Sequence, residues 1–284
     1  MVMIAMVFVF IFAYIPMYGV IIAFQDYSPA FGYFGSPWAG FEHFERFFNN
    51  YRFWTLMKNT FFLSFYGFAI GFPLPIILAL MLNAMKGERF KKIFQTIFYA
   101  PHFISVVVLV GMLYLFFGEY GLVNNLLLAL GLDKVSFFLE SFWFRPLFIG
   151  SGNWQSTGWS AIIYLAALSG VDPQLHESAM MDGASRFKRI LHIDLPAIFP
   201  TISIILILSI GNMMSVGFEK VLLMQTGTNL SASEIISTYV YKTGILDYEY
   251  SYAAAIGLFN AVINVILLII ANTTARKFSE NSLW

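Results

Sequence analysis

Asp172, His176, Glu177, Asp182, Arg186, Lys188, Arg189, His192 and Asp194 crowd into one short stretch of an otherwise greasy chain, closed by Pro196. A carboxylate such as Glu177 is able in principle to act as a general acid. That role needs a base or nucleophile within reach, and none lies close in sequence. A carboxylate near a helix start is more often a surface group stabilised by the helix dipole. Other chemistries lack their parts. There is no Gly-x4-Gly-Lys-Ser/Thr phosphate loop, so any ATP hydrolysis must come from another chain. There is no His-Glu-x-x-His and no Gly-x-Ser-x-Gly, and His43, His102, His176 and His192 lie far apart. Potassium-filter sequence is absent as well. Zero Cys excludes a disulfide framework, a thiolate metal site and a Cys nucleophile. No catalytic residue and no metal site is expected. The stretch reads instead as a charged helix-turn-helix. Asp172 can cap a helix whose first residue is Pro173, Gly183 can take the left-handed conformation that ends it, Ser185 can cap a second short helix, and Pro196 suits the first turn of the apolar run that follows.

The elements that hold this stretch must be lipid-facing. Hydrophobic residues make up 59% of the chain and charged ones 11%, whereas soluble domains carry about 25% charged. Net charge is zero, which suggests neither nucleic acid nor an acidic surface as partner. Aromatics at 19% suit the two interfacial belts of a bilayer. Apolar runs long enough to cross about 30 Å of hydrocarbon fall at about 1–24, 60–82, 101–117, 146–168, 196–218 and 251–274. The expectation is an all-α polytopic membrane protein of six transmembrane helices, one membrane domain over 1–284, with the charged loop 169–195 between the fourth and fifth spans.

Details refine that picture. Residues 1–24 carry no charge; with no basic segment before them and no small-x-small cleavage site after, they read as a span rather than a signal peptide, and as the start of a chain whose native beginning is further upstream. Pro73 and Pro75 predict a kinked, protein-packed second span. Gly67 and Gly71 predict close helix packing there. Lys86, Arg89, Lys91 and Lys92 form a compact basic loop. One side of the membrane collects nine Lys and Arg in about 55 residues (those four with Arg186, Lys188, Arg189, Arg276 and Lys277), the other seven in about 100. The denser side is cytoplasmic, which places the charged loop and both termini inside.

The spacing then resembles something known. Glu177-x-Ala179, three residues to Gly183 and nine more to Ile193-x-Leu195-Pro196 resemble the EAA signature of bacterial ABC importer permeases, with Ser178 where that family usually has Ala. The ending of the first span, Tyr14-Ile-Pro16-Met-Tyr18-Gly19, and the tail Ser279-Glu-Asn-Ser282-Leu283-Trp284 look like the polysaccharide-type subfamily. The resemblance implies the type I (MetI-like) permease fold and a coupling helix at 173–192. It implies a second homologous permease subunit, two cytosolic ATP-binding subunits that hold ATP and Mg, and an extracytoplasmic solute-binding protein. No cofactor is implied on this chain. The coupling residues would be Glu177, Ser178, Ala179, Met180, Met181, Asp182, Gly183 and Arg186. In such a site Glu177 and Arg186 would present polar contacts while Met180 or Met181 fills the ATPase groove. The bland alternative is a methionine packed on its own spans.

For the solute path the polar and aromatic residues on the spans are the candidates: Asn153, Trp154, Gln155 and Trp159 on the fourth, Asn212, Gly217, Glu219 and Lys220 on and just past the fifth, Asn260 and Asn264 on the sixth. Amides hydrogen-bond hydroxyls and aromatic faces stack on sugar rings, which suits a carbohydrate, and the resemblance points to oligosaccharides, uronate-bearing ones among them. A single Asn in a span serves interhelical hydrogen bonding just as well. Asn260 and Asn264 share one helix face. Lys220 is open to a sugar carboxylate, to Glu219 or to headgroups. Two rival functions stand beside the importer. An enzyme acting on lipid-linked sugar needs a clustered acid/base or metal constellation, and an ion-coupled secondary transporter needs charges in mid-span; the sequence shows neither.

Overall fold

The computed structural model describes residues 2–278; the tail 279–284 lies outside it. Among the described residues the chain is helical, with one isolated antiparallel bridge between Gln25 and Trp38 and no strand. In order, the elements that matter are α1 (Val2–Phe24, which passes through α, π and 3-10 turns), α2 (Phe53–Gly71), α3 (Pro73–Ala84), α4 (Glu88–Tyr99), α5 (Val106–Phe117), α6 (Ser141–Leu168), α7 (Pro173–Met181), α8 (Leu195–Gly211), α9 (Phe218–Met224) and α10 (Tyr250–Phe278). Five segments are long and apolar enough to cross a membrane: Val2–Phe24, Phe53–Ala84, Val106–Ala129, Arg186–Gly211 and Tyr250–Lys277. The helix at the expected fourth span, α6, has 28 residues, ample for a crossing at 1.5 Å each. It falls outside that set because Ser151–Thr157 dilutes its hydropathy.

Local sequence accounts for the breaks. The second span interrupts at Phe72, since Pro73 and Pro75 cannot donate to the carbonyls before them, and α3 starts afresh with a proline in its first turn. Ser105 caps α5 by accepting from the Val108 amide at 3.3 Å. The segment ahead of it, α4, is a distinct amphipathic helix where the sequence reading has a basic loop ahead of the span at 101–117. It keeps Lys92 and the apolar Phe90, Ile93, Phe94, Ile97 and Phe98 exposed. The fifth span ends at Gly211, before Asn212, and α9 follows as a separate short helix.

Contacts divide the described chain into two units. In the first, 2–60 with 234–263, side chains of the loops and of the spans together do the tying. Buried Glu234 pairs with Arg52 at 3.3 Å and Lys242 at 3.8 Å. Asn59 donates to the Glu234 carbonyl at 3.1 Å, and Thr60 Oγ1 accepts from the Ile236 amide at 3.0 Å. Phe47, Phe48 and Phe53 close edge-on around Phe259 or one another. α1 buries little beyond Ala23, and up to Val20 its Phe, Ile and Met side chains face outward, as in a lipid-solvated helix.

The second unit, 61–233 with 264–278, holds the charged loop. Its firmest layer is Leu78, Ala79 and Leu82 of α3 against Ala161, Tyr164 and Leu168 of α6 and Ile198 of α8. That apolar knot sits where the fourth span ends and the fifth begins. Gly158 of α6 lets the helix run directly against the Phe98 carbonyl of α4, where a Cβ would collide. Two asparagines are local hubs. Asn124 bonds the Gly118 and Val135 carbonyls and the Val135 amide. Fully buried Asn229 donates to Phe138 and Met224 carbonyls at 3.0 Å and accepts from the Thr226 amide and Ser233 hydroxyl.

Candidate functional site

The charged loop folds from its own caps. Asp172 Oδ1 accepts the Gln174 amide at 2.9 Å, and Pro173 occupies the first turn of α7, where its missing N–H costs nothing. At the other end Gly183 sits at φ +75°. Its amide donates to Met180 O at 3.0 Å and the Ala184 amide to Ala179 O at 2.9 Å, the paired bonds of a Schellman motif. Ser185 Oγ then caps the turn Arg186–Arg189 by accepting from the Lys188 amide at 3.3 Å. A π-turn, Ile190–Asp194, carries the chain into α8, with Pro196 in its first turn. Each terminus is satisfied within a few residues, so this knuckle holds its shape without deep burial.

Exposure separates two faces. Glu177, Ser178, Asp182, Gly183 and Arg186 are exposed, Ala179 is half-buried, Met180 is 51% and Met181 88% exposed. Met181 therefore packs on none of its own spans, whereas Met180 also lines a cleft of about 490 Å³ behind the helix. Phe187, at 71%, joins Leu175 and Met181 as apolar side chains held out among charges. Sequence reasoning missed Phe187 and Leu175; the signal was an apolar residue inside a run that is otherwise charged or polar. The cleft is bordered by Asn83, Lys86, His176, Glu177, Arg186, Arg189 and Asp194. Within it His176 Nε2 lies 3.2 Å from Asp194 Oδ1.

The solute-path candidates do not gather in one place. Asn153 stands between two cavities of α6. One, about 920 Å³, is lined by Tyr66, Ile70, Phe142, Arg145, Trp154 and Thr157 and is mostly apolar. The other, about 440 Å³, is lined by Gly67, Gly71, Ser156, Trp159, Ser160, Tyr164 and Ser209, and mixes hydroxyls with aromatic faces. Asn153 Nδ2 is buried without a partner, and a Cβ on Gly71 would press on Asn153 Oδ1 at 2.6 Å. Gly71 thus makes room for the amide, but Gly67 faces open space and lines the smaller cavity, so only one of the two glycines serves close packing. Trp159, half exposed, is backed by His102, whose ring stacks at 4.3 Å and 5°. Gln155 is spent on the Ile104 carbonyl at 2.7 Å.

Past the fifth span, Asn212 Nδ2 bonds Leu208 O at 3.1 Å and closes its own helix. Gly217 precedes α9, and Glu219 is exposed. Lys220 is buried at 7%, donating to Phe148 O at 2.8 Å with Nζ 4.8 Å from the Phe148 ring centre. Among the described residues it pairs with neither Glu219 nor any other carboxylate. Asn264 holds Met214 and Ser215 together, accepting from the amide at 3.0 Å and donating to the hydroxyl at 3.1 Å, which is structural bonding from α10 to the turn that follows α8. Asn260 belongs to the other unit, with Oδ1 buried and unpartnered. Of the ten, Asn153, Trp154 and Trp159 border cavities. No group of three or more His, Asp or Glu able to hold a metal occurs among the described residues.

Comparison with known proteins agrees along the length of the chain. Residues 71–280 match the family described as binding-protein-dependent transport system inner membrane component. The polygalacturonan/rhamnogalacturonan transport system permease protein YteP of Bacillus subtilis (strain 168) is 45% identical over 279 residues, 98% of this chain and 87% of that protein. A chain of the bacterial alginate ABC transporter, solved in complex with alginate pentasaccharide-bound periplasmic protein, superposes with TM-score 0.91 at 38% identity, covering 99% of this chain and 94% of that one. The MetNI methionine ABC transporter shares the fold alone, at TM-score 0.51 and 15% identity over 80% of this chain and 94% of that one.

Proposed function

Because the chain belongs to the family of binding-protein-dependent transport system inner membrane components, we propose that it moves oligosaccharides cut from polysaccharide, uronate-bearing ones among them, across the bacterial inner membrane. It is a membrane-embedded permease subunit of an ABC transporter and not an enzyme. A permease of this family works with a solute-binding protein. In the assembly we infer, a second homologous permease completes the pathway, two cytosolic subunits bind and hydrolyse ATP with Mg, and both termini of this chain face the cytoplasm. The rival readings, an ion-coupled transporter or an enzyme on lipid-linked sugar, are not favoured.

The observation that carries the coupling assignment is the capped knuckle Asp172–Pro196. It is stiffened by its own hydrogen bonds and anchored on the Leu82–Leu168–Ile198 layer, and it holds Met181 and Phe187 outward beside Glu177 and Arg186. Apolar anchors rimmed by charge are what a separate subunit grips. ATP-driven closure of the ATPase pair would pull such knuckles together and rock the spans from inward-open to outward-open. The mixed cavity with Trp159, Ser156 and Ser209 supports a sugar as cargo, since a ring face and hydroxyls need a flat apolar surface and small polar groups together.

The test is reconstitution of this chain with its partner permease, ATPase and binding protein in proteoliposomes. Uronate-bearing and neutral oligosaccharides are compared for stimulation of ATP hydrolysis and for uptake. Stimulation by the acidic oligosaccharide is the expected result. Uptake that persists with a hydrolysis-dead ATPase would overturn the reading in favour of ion coupling.

A further inference from the structure

The cleft behind α7 contains a buried carboxylate that the docking surface does not use. Asp194 is 3% exposed and is the last residue of the π-turn that feeds the fifth span. Its Oδ1 faces His176 Nε2 at 3.2 Å from one side and Asn83 Nδ2, which donates at 3.4 Å, from the other. These two partners come from different elements: His176, an ion-pair neighbour, from α7, and Asn83, a hydrogen-bond donor, from the end of α3. One oxygen therefore joins three segments. We propose that Asp194 is a mechanical joint, and that His176 and Asn83 are positioning residues which tie the ATPase-facing helix to the second and fifth spans.

The geometry explains why a joint is needed. α7 has nine residues and no buried one, and it is strung between two short turns, Ser169–Asp172 and Asp182–Ser185. Pushed by a partner on its Glu177 and Met181 side, such a helix would swing on those turns unless another bond took the load. His176 stands one residue before Glu177 and reaches further into the cleft, to Asp194, with a quarter of its side chain exposed. A carboxylate out of water holds its donors strongly, because losing one strands a charge in a low-dielectric site. A displacement of α7 is then delivered to the base of α8 and to α3 together, through the buried carboxylate, instead of being lost in the turns. Lys86, Glu177, Arg186 and Arg189 line the same cleft, and among the described residues none of them forms an ion pair with Asp194.

This proposal rests on the reading of α7 as the ATPase-facing helix, and the experiment separates the two. The complete transporter is purified and reconstituted with His176→Leu, His176→Gln, Asp194→Leu, Asp194→Asn or Glu177→Lys in this chain. ATPase retention, basal hydrolysis, stimulation by the loaded binding protein and uptake per ATP are measured. His176→Leu is expected to retain the ATPase and its basal rate while uptake per ATP falls at least about tenfold, within the range of an allosteric coupling energy. His176→Gln, which can still donate, restores much of it, and Asp194→Asn, which can still accept, stays above Asp194→Leu. Should Asp194→Leu fail to accumulate, the His176 pair decides, since that side chain reaches the cleft edge. Normal coupling in His176→Leu, with Glu177→Lys releasing the ATPase, overturns the joint alone. Glu177→Lys remaining bound and coupled overturns the docking reading, and the joint with it.

Discussion

Gly183 offers the sharpest test of the knuckle, because its surroundings isolate one cause. A Cβ built there meets nothing within 4 Å, so an added methyl is not a steric clash; the cost comes from φ +75°. For an ordinary L-residue the left-handed region costs about 1–2 kcal/mol, and Asn tolerates it best. Gly183→Ala should therefore shift the population of correctly turned loop by about 5–30-fold, and Gly183→Asn by much less. A β-branched residue, as in Gly183→Val, should cost more than Ala. Gly183→Pro is different in kind. Proline fixes φ near −65° and removes the donor to Met180 O, and it pushes Asp182 away from its observed φ −76°, ψ 3°. The turn then has to be rebuilt, with two hydrogen bonds of about 1 kcal/mol each at risk. The assay is uptake and binding-protein-stimulated ATP hydrolysis by the reconstituted complex, normalised to the amount of this chain in the membrane. The expected order is Gly, Asn, Ala, Val, Pro, with transport lost in the last while the protein still inserts. Wild-type transport by Gly183→Pro, or Asn performing worse than Val, would refute the reasoning.

Two further outcomes follow from the same unit. Gly158→Ala forces α6 off the Phe98 carbonyl, and overpacking of this sort costs about 1–3 kcal/mol; a lower melting temperature in detergent is expected, and an unchanged one would contradict the close approach. Trp159→Ala should raise the apparent KM for oligosaccharide roughly three- to tenfold, since it removes an aromatic face, while Trp159→Phe keeps most of it; equal KM values for both would remove Trp159 from the path.

Much of the charged loop was legible because its structure is local. Caps at Asp172 and Ser185, the proline starts at 173 and 196 and the glycine stop at 183 each act within a turn, through groups that neighbours in sequence must satisfy. The membrane character was legible for a similar reason: long apolar runs require no partner to be recognised. The break before Pro73 belongs to the same class. What the chain's order alone could not reveal were relations between segments. Gly67 and Gly71 look equivalent, yet only Gly71 opposes a side chain, Asn153. Asn264, read as a path residue, serves as a bolt on Met214 and Ser215, and Gln155 is taken up by Ile104 O.

The amino-acid order by itself determined an all-helical membrane chain with one rigid, outward-turned knuckle, since helix periodicity, hydropathy and capping depend on residues a few positions apart. Only tertiary structure decided which polar groups remain available, because an amide or a cation deep in a bundle is defined by whatever lies across from it. His176 and Asp194 are separated by a glycine stop and a basic turn, and nothing in their spacing announces a bond. The return of the chain through Schellman turn and π-turn brings them to 3.2 Å, where exclusion of water turns two ordinary polar residues into a joint.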